Sequence, residues 1–203
     1  MALSDVLIRI ETLQAAFQPR VTPPPSGAVQ SAFAMQLQGA AGTAPPTGLM
    51  GIPAQGGTPG GMAALSIAAR EVGVAEQPPG SNDSPRIAQF RQATAGSGVG
   101  PWCAYFVSWA AREAGTPLGD QGQGFGRVDD VWAWAERAGK AVPAGAGPPQ
   151  PGDLIVWDEH IGIVEGVLPD GSIQTVEGNS SDQVSRRVHD ASGDGAIGYV
   201  RLG

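Results

Sequence analysis

At Pro148-Pro149-Gln150-Pro151-Gly152-Asp153 the chain changes its hydrophobic rhythm, and no other feature limits its fold as strongly. Before this point apolar residues recur at steps of three and four, the spacing of helices with one buried face. After it come short β-branched runs broken by turn residues. Helices followed by consecutive strands specify an α+β domain, with N-terminal helices packed on a C-terminal antiparallel β-sheet. The helical half reads as Ala64 to Val72, ending at Gly73; a helix with Ser84 as N-cap and Pro85 at its first position; Cys103 to about Ala114, stopped by Gly115; and Val128 to Ala138, ending at Gly139. The second half reads as strands at Leu154–Trp157, His160–Val167, Ser172–Glu177, Val184–Val188 and Ile197–Leu202.

With 31 glycines and 18 prolines in 203 residues, part of the chain need not belong to this packed unit. Residues 40–61 have linker composition, glycine for flexibility and proline for extension, so the main domain is expected over 62–203. In residues 1–39, Leu3, Val6, Leu7, Ile10, Leu13 and Phe17 form an amphipathic stripe that Val29, Phe33 and Leu37 repeat more weakly. Two such helices cannot cover each other's apolar faces alone, so they read as a docking or targeting segment, or as helices packed on the main domain.

Charge and cysteine count narrow the chemistry. Arg9 and Arg20 balance Asp5 and Glu11, so the net charge of −7 belongs to the chain beyond residue 65, and an acidic domain argues against nucleic acid as a ligand. One cysteine excludes an internal disulfide, and one cysteine with two histidines is too few for a zinc framework, so no metal or cofactor is expected. No stretch approaches the roughly 20 apolar residues of a membrane span. Met1-Ala2-Leu3-Ser4-Asp5 lacks a basic n-region, so no Sec signal is expected and any export would be non-classical.

The single cysteine sits in Pro101-Trp102-Cys103-Ala104-Tyr105-Phe106-Val107-Ser108-Trp109, with Pro101 expected in the first helical turn. A sulfur there meets the positive end of the helix dipole and free N–H groups, both of which favour thiolate. Taken alone, the nonapeptide also fits a small buried hydrophobe. His160 opens the next candidate, with Glu177-Gly178-Asn179 on the following strand. If Asp170-Gly171 forms a two-residue turn, His160 opposes Ser181, has Asn179 as its diagonal neighbour, and sees Glu177 farther down the ladder, opposite Val164. All three then share one face, where an acceptor on one ring nitrogen aims the other at a thiol. The bland alternatives are a strand-end histidine and an ordinary Gly-Asn turn. His189, in Arg186-Arg187-Val188-His189-Asp190, reads as part of a solvated charged stretch.

In that order, Trp102–Trp109, Pro151-Gly152-Asp153-Leu154-Ile155-Val156, His160-Ile161-Gly162-Ile163-Val164 and Val176-Glu177-Gly178-Asn179 resemble the CHAP family of cysteine amidases and peptidases, within the NlpC/P60 and papain-like set. The resemblance implies a papain-like α+β fold, peptidoglycan as substrate, and hydrolysis of an amide in the peptide stem or at the muramoyl-alanine bond. It implies Cys103 as nucleophile, His160 as general base and acid, and Glu177 with Asn179 as polar support. Trp102 is a candidate groove wall, with core as its alternative. Some family members carry an Asp-rich calcium loop before the cysteine. Here Ala93–Gly100 stands in its place, so no calcium dependence is expected. Asp5 to Phe17, followed by Phe33 to Leu37, is weakly similar to the front of some bacterial flagellum-associated wall hydrolases, which makes a flagellar or phage-type structural protein the expected partner of residues 1–39. The rival reading is a catalytically inactive wall-binding module; an acyltransferase on the same cysteine framework is a more distant one.

Overall fold

A computed structural model describes residues 56–96 and 98–203. The expected docking segment, 1–39, and most of the expected linker lie outside the described residues. Within them the chain folds as α+β: helices α1 (Pro59–Ala69), α2 (Pro85–Arg91), α3 (Cys103–Glu113) and α4 (Val128–Arg137), then strands β1 (Ala141–Pro143), β2 (Leu154–Val156), β3 (Ile161–Val167), β4 (Ile173–Glu177), β5 (Ser185–His189) and β6 (Gly198–Val200). The strands form one antiparallel sheet in the order β1-β6-β2-β3-β4-β5. All five strands expected from sequence are present; β1, three residues at an edge and ending in proline, is the addition.

Helix α1 begins before the expected boundary at Met62. Thr58 is its N-cap, the Thr58 Oγ1 accepting from the Gly61 N–H at 3.0 Å and donating to the Leu202 carbonyl. Pro59, Gly60 and Gly61, read as linker, are therefore helical. Glycine at 61 serves close approach: a Cβ there would lie 2.8 Å from the Gly152 carbonyl oxygen. The Pro-Gly-Asp turn receives this helix. Asp153, 2% exposed, accepts from the Gln150 N–H at 2.9 Å and pairs with Arg201 at 3.0 Å, tying the turn to the segment after β6.

Helix α2 starts as its sequence indicates, with Ser84 Oγ accepting from the Ile87 N–H at 3.2 Å and Pro85 following. Helix α3 differs at its start. Trp102, not a proline, occupies the N-cap, and Pro101 lies outside the helix. The buried faces of α1 to α4 meet Leu154, Val156, Ile161, Ile163, Val176 and Val200 in one core, where Phe90 packs on Phe106 and Trp109 with ring centres 5.2 and 4.8 Å apart. Alternate strand residues, Ile155, Val164 and Ile173, join Ala196 and Tyr199 in a smaller cluster on the other face of the sheet.

The β3–β4 hairpin departs from the expected register in two places. Val167 pairs with Ile173, and Leu168 and Ser172 close a three-residue loop, Pro169-Asp170-Gly171, with Gly171 at φ +89°. A bulge between Val164 and Gly166 then shifts pairing once more, so that Ile163 faces Val176 and Val164 faces Thr175. Each one-residue shift alone would turn a strand's side chains to the opposite face; the two together restore the original faces. The result displaces Glu177 toward the His160 end of the ladder.

Candidate functional site

Cys103 is the first residue of α3 and is 4% exposed. Its sulfur stands close enough to His160, which lies just before β3, to raise the pKa of the imidazole. His160 Nε2 lies 2.9 Å from Oε2 of Glu177, leaving Nδ1 as the ring nitrogen for the sulfur. Thiol, imidazole and carboxylate thus stand next to one another in that order. Glu177 itself is 3% exposed, and its other oxygen, Oε1, accepts from Thr175 Oγ1 at 2.6 Å and meets His189 Nε2 at 2.6 Å.

Two glycines make this line possible. Gly162 lies against Glu177, and a Cβ there would come within 2.7 Å of the Glu177 Cγ; the carboxylate crosses β3 where β3 has no side chain. Gly178, the residue after β4, abuts α3, where a Cβ would lie 2.6 Å from the Phe106 Cβ. The helix carrying the thiol therefore approaches the end of the strand carrying the carboxylate as closely as a backbone allows.

Burial alone would lower the pKa of His160, but hydrogen bonds with Cys103 and Glu177, and the charges there, raise it to about 9. Burial alone would raise that of Glu177, yet hydrogen bonds from His160, Thr175 and His189 bring it down to about 2. A thiol beside an imidazole is the arrangement that nucleophilic attack on a carbonyl calls for.

The sulfur lies at a cleft of ≈ 460 Å³ bounded by Pro101 and Tyr105 on its own helix start, by Arg127 and Asp129 opposite, and by Asp158 and Glu159 before β3. The opposite wall is anchored by Ser108, buried in α3. Its Oγ donates to the Phe125 carbonyl at 2.9 Å and accepts from the Phe125 N–H at 3.0 Å. No sequence pattern marked Ser108, because its partner is backbone on a loop.

Three expectations change. Glu177, not Asn179, is hydrogen-bonded to His160: the double register shift moves Glu177 two positions up the ladder, and β4 ends there. Asn179 follows in the turn after β4 with φ +58°. Trp102 is fully buried, its Nε1 donating to Glu76 Oε1 at 2.9 Å, so it belongs to the core and lines no groove. His189 is not solvated: its side chain is 14% exposed and reaches Glu177. Cys103 is packed in the core and also stands beside His160. Among the described residues, no group of three or more His, Cys, Asp or Glu side chains is placed to hold a metal ion.

Residues 94–179 match the family model of the CHAP domain. No curated protein is significantly similar to the chain.

Proposed function

This chain carries a CHAP domain, and from that premise we propose that it hydrolyses peptidoglycan by attack of the Cys103 sulfur on an amide carbonyl. CHAP domains act in general as amidases or peptidases on peptidoglycan. The residue assignment rests on one observation above the rest, the succession of neighbours Cys103, His160 and Glu177, with Cys103 lining a cleft. Its order of thiol, imidazole and acceptor supports a cysteine nucleophile with a histidine base.

In this reading the thiolate adds to the carbonyl carbon of a stem-peptide or muramoyl-alanine amide. The oxyanion forms beside the helix start, where first-turn N–H groups have no intrahelical partner. His160 gives its proton to the departing nitrogen, the C–N bond breaks, and an acyl-thioester remains on Cys103. Water then adds to the thioester as His160 takes its proton, releasing the carboxylic acid and returning the thiol–imidazole pair. Glu177 keeps His160 turned toward the sulfur throughout. Asn179, outside this line, borders the carboxylate strand and serves as secondary polar support.

Residues 1–39 are assigned as a docking or targeting segment for a flagellar or phage-type structural protein, with action at the cell wall. The weak family similarity and the stripe of Leu3, Val6, Leu7 and Ile10 support that assignment.

The test is release of new amines or muropeptides from purified cell walls. Cys103→Ala is expected to abolish it with the fold intact, and His160→Ala to reduce it by roughly 10²- to 10⁴-fold. Walls bound but left uncut by the unaltered chain would favour the inactive binding module instead.

A further inference from the structure

Behind Glu177 lies a second imidazole that the reaction above does not use. His189 closes β5, with Arg187 and Val188 before it pointing to solvent, yet its own ring is 14% exposed. Its Nε2 is 2.6 Å from Oε1 of Glu177, and its Nδ1 is 2.8 Å from Oδ2 of Asp194. The Trp157 indole packs on both imidazoles, its ring centre 4.8 Å from that of His189 and 5.5 Å from that of His160. Trp157 Nε1 donates to the Gly193 carbonyl at 2.7 Å, and Asp190 Oδ1 accepts from the Ser192 and Asp194 N–H groups at 2.8 and 3.0 Å. The loop that presents Asp194 is therefore tied to the same cluster.

A glutamate carboxylate turns easily about its last torsion, and one that turns away leaves His160 without a fixed acceptor. On Glu177, Oε1 is held from two directions, by Thr175 on its own strand and by His189 on the next. Oε2 is thereby left facing His160. Thr175 alone would be a single pivot, about which the carboxylate can still rotate. We propose that His189, oriented by Asp194, is a positioning residue for the hydrolysis: it locks the Glu177 carboxylate so that His160 stays aimed at Cys103. The inference rests on the reading of Cys103 and His160 as the reacting pair. The family match ends at Asn179, so β5 and the Asp194 loop lie beyond the matched span.

The test combines steady-state kinetics of the full chain on a soluble peptidoglycan fragment with proton NMR of the His160 ring N–H that faces Glu177. His189→Ala should lower kcat roughly tenfold while KM stays within about twofold, because orientation is lost and binding is not. His189→Gln, whose amide N–H can still donate to Oε1, should recover most of that loss. Asp194→Asn, at an exposed side chain, leaves the fold undisturbed and should give a smaller loss of the same kind. The ring N–H resonance should shift or broaden in His189→Ala and return in His189→Gln. An unmoved resonance in His189→Ala overturns the proposal, whether kcat is unchanged or has fallen through packing alone. An unaltered chain that does not cleave the fragment overturns the functional reading and this inference with it; an active chain with an unmoved resonance overturns this inference only.

Discussion

Glu177 is a carboxylate buried to 3% exposure and kept ionised by three donors. Its pKa is lower folded than unfolded, so the stabilisation it provides is present above about 4.5 and is lost as pH falls toward about 2. The melting-temperature gap between the unaltered chain and Glu177→Gln should therefore be full at pH 6 and close on acidification; a constant gap would contradict the assignment. His160 works in the opposite sense. Its folded pKa is raised, so its contribution is present below about 6.5 and disappears as pH climbs through about 9. Gly162 makes a prediction at the same scale: Gly162→Ala would push the Glu177 side chain off its line, costing on the order of 10²-fold in wall cleavage while the protein stays folded. Unchanged cleavage in the alanine variant would show that the carboxylate can reach His160 by another path.

At the scale of elements, the β3–β4 hairpin and helix α3 divide the work. The three-residue loop and the bulge each shift register by one, and their sum keeps His160 and Glu177 on one face while bringing Glu177 two positions nearer. Deleting Pro169 should leave a single uncompensated shift. The expected outcome is loss of wall cleavage and of rapid Cys103 alkylation, together with a lower melting temperature; full activity would mean the hairpin absorbs the change elsewhere. Helix α3 holds its place through Phe106, fully buried against Phe90, Trp102 and Trp109. Phe106→Ala removes that anchor and should cost about 3–5 kcal/mol in denaturant unfolding.

For the whole molecule, the relevant boundary is where the folded unit begins. Thr58 caps α1 and reaches the Leu202 carbonyl, joining the front of the domain to the end of the sheet. Removing residues 1–55 should leave cleavage of isolated walls unchanged, whereas removing 1–61 should lower the melting temperature by cutting away that cap and the first turn of α1. Equal stability of the two truncations would place the start of the unit at Met62 after all.

Much of this protein was legible along the chain. Ser84-Pro85, Gly115 and Gly139 mark helix ends by local backbone chemistry, and the β-branched runs after Asp153 mark strands, so the α+β class follows from short-range rules. Cys103, His160 and Glu177 could be nominated because their spacing relative to those elements is local too. Which residue touches which was decided only by tertiary structure. Glu177 meets His160 because the three-residue loop and a bulge, marked in sequence only by Gly166, shift the register together, and β4 ends before Asn179. Trp102 left the cleft for the core because Glu76, 26 residues away, offers its indole a buried acceptor. His189, flanked by arginines, looks solvated in sequence, since alternation on an edge strand cannot say which face another layer covers. That depended on Trp157 and on the Asp190–Asp194 loop folding back over β5.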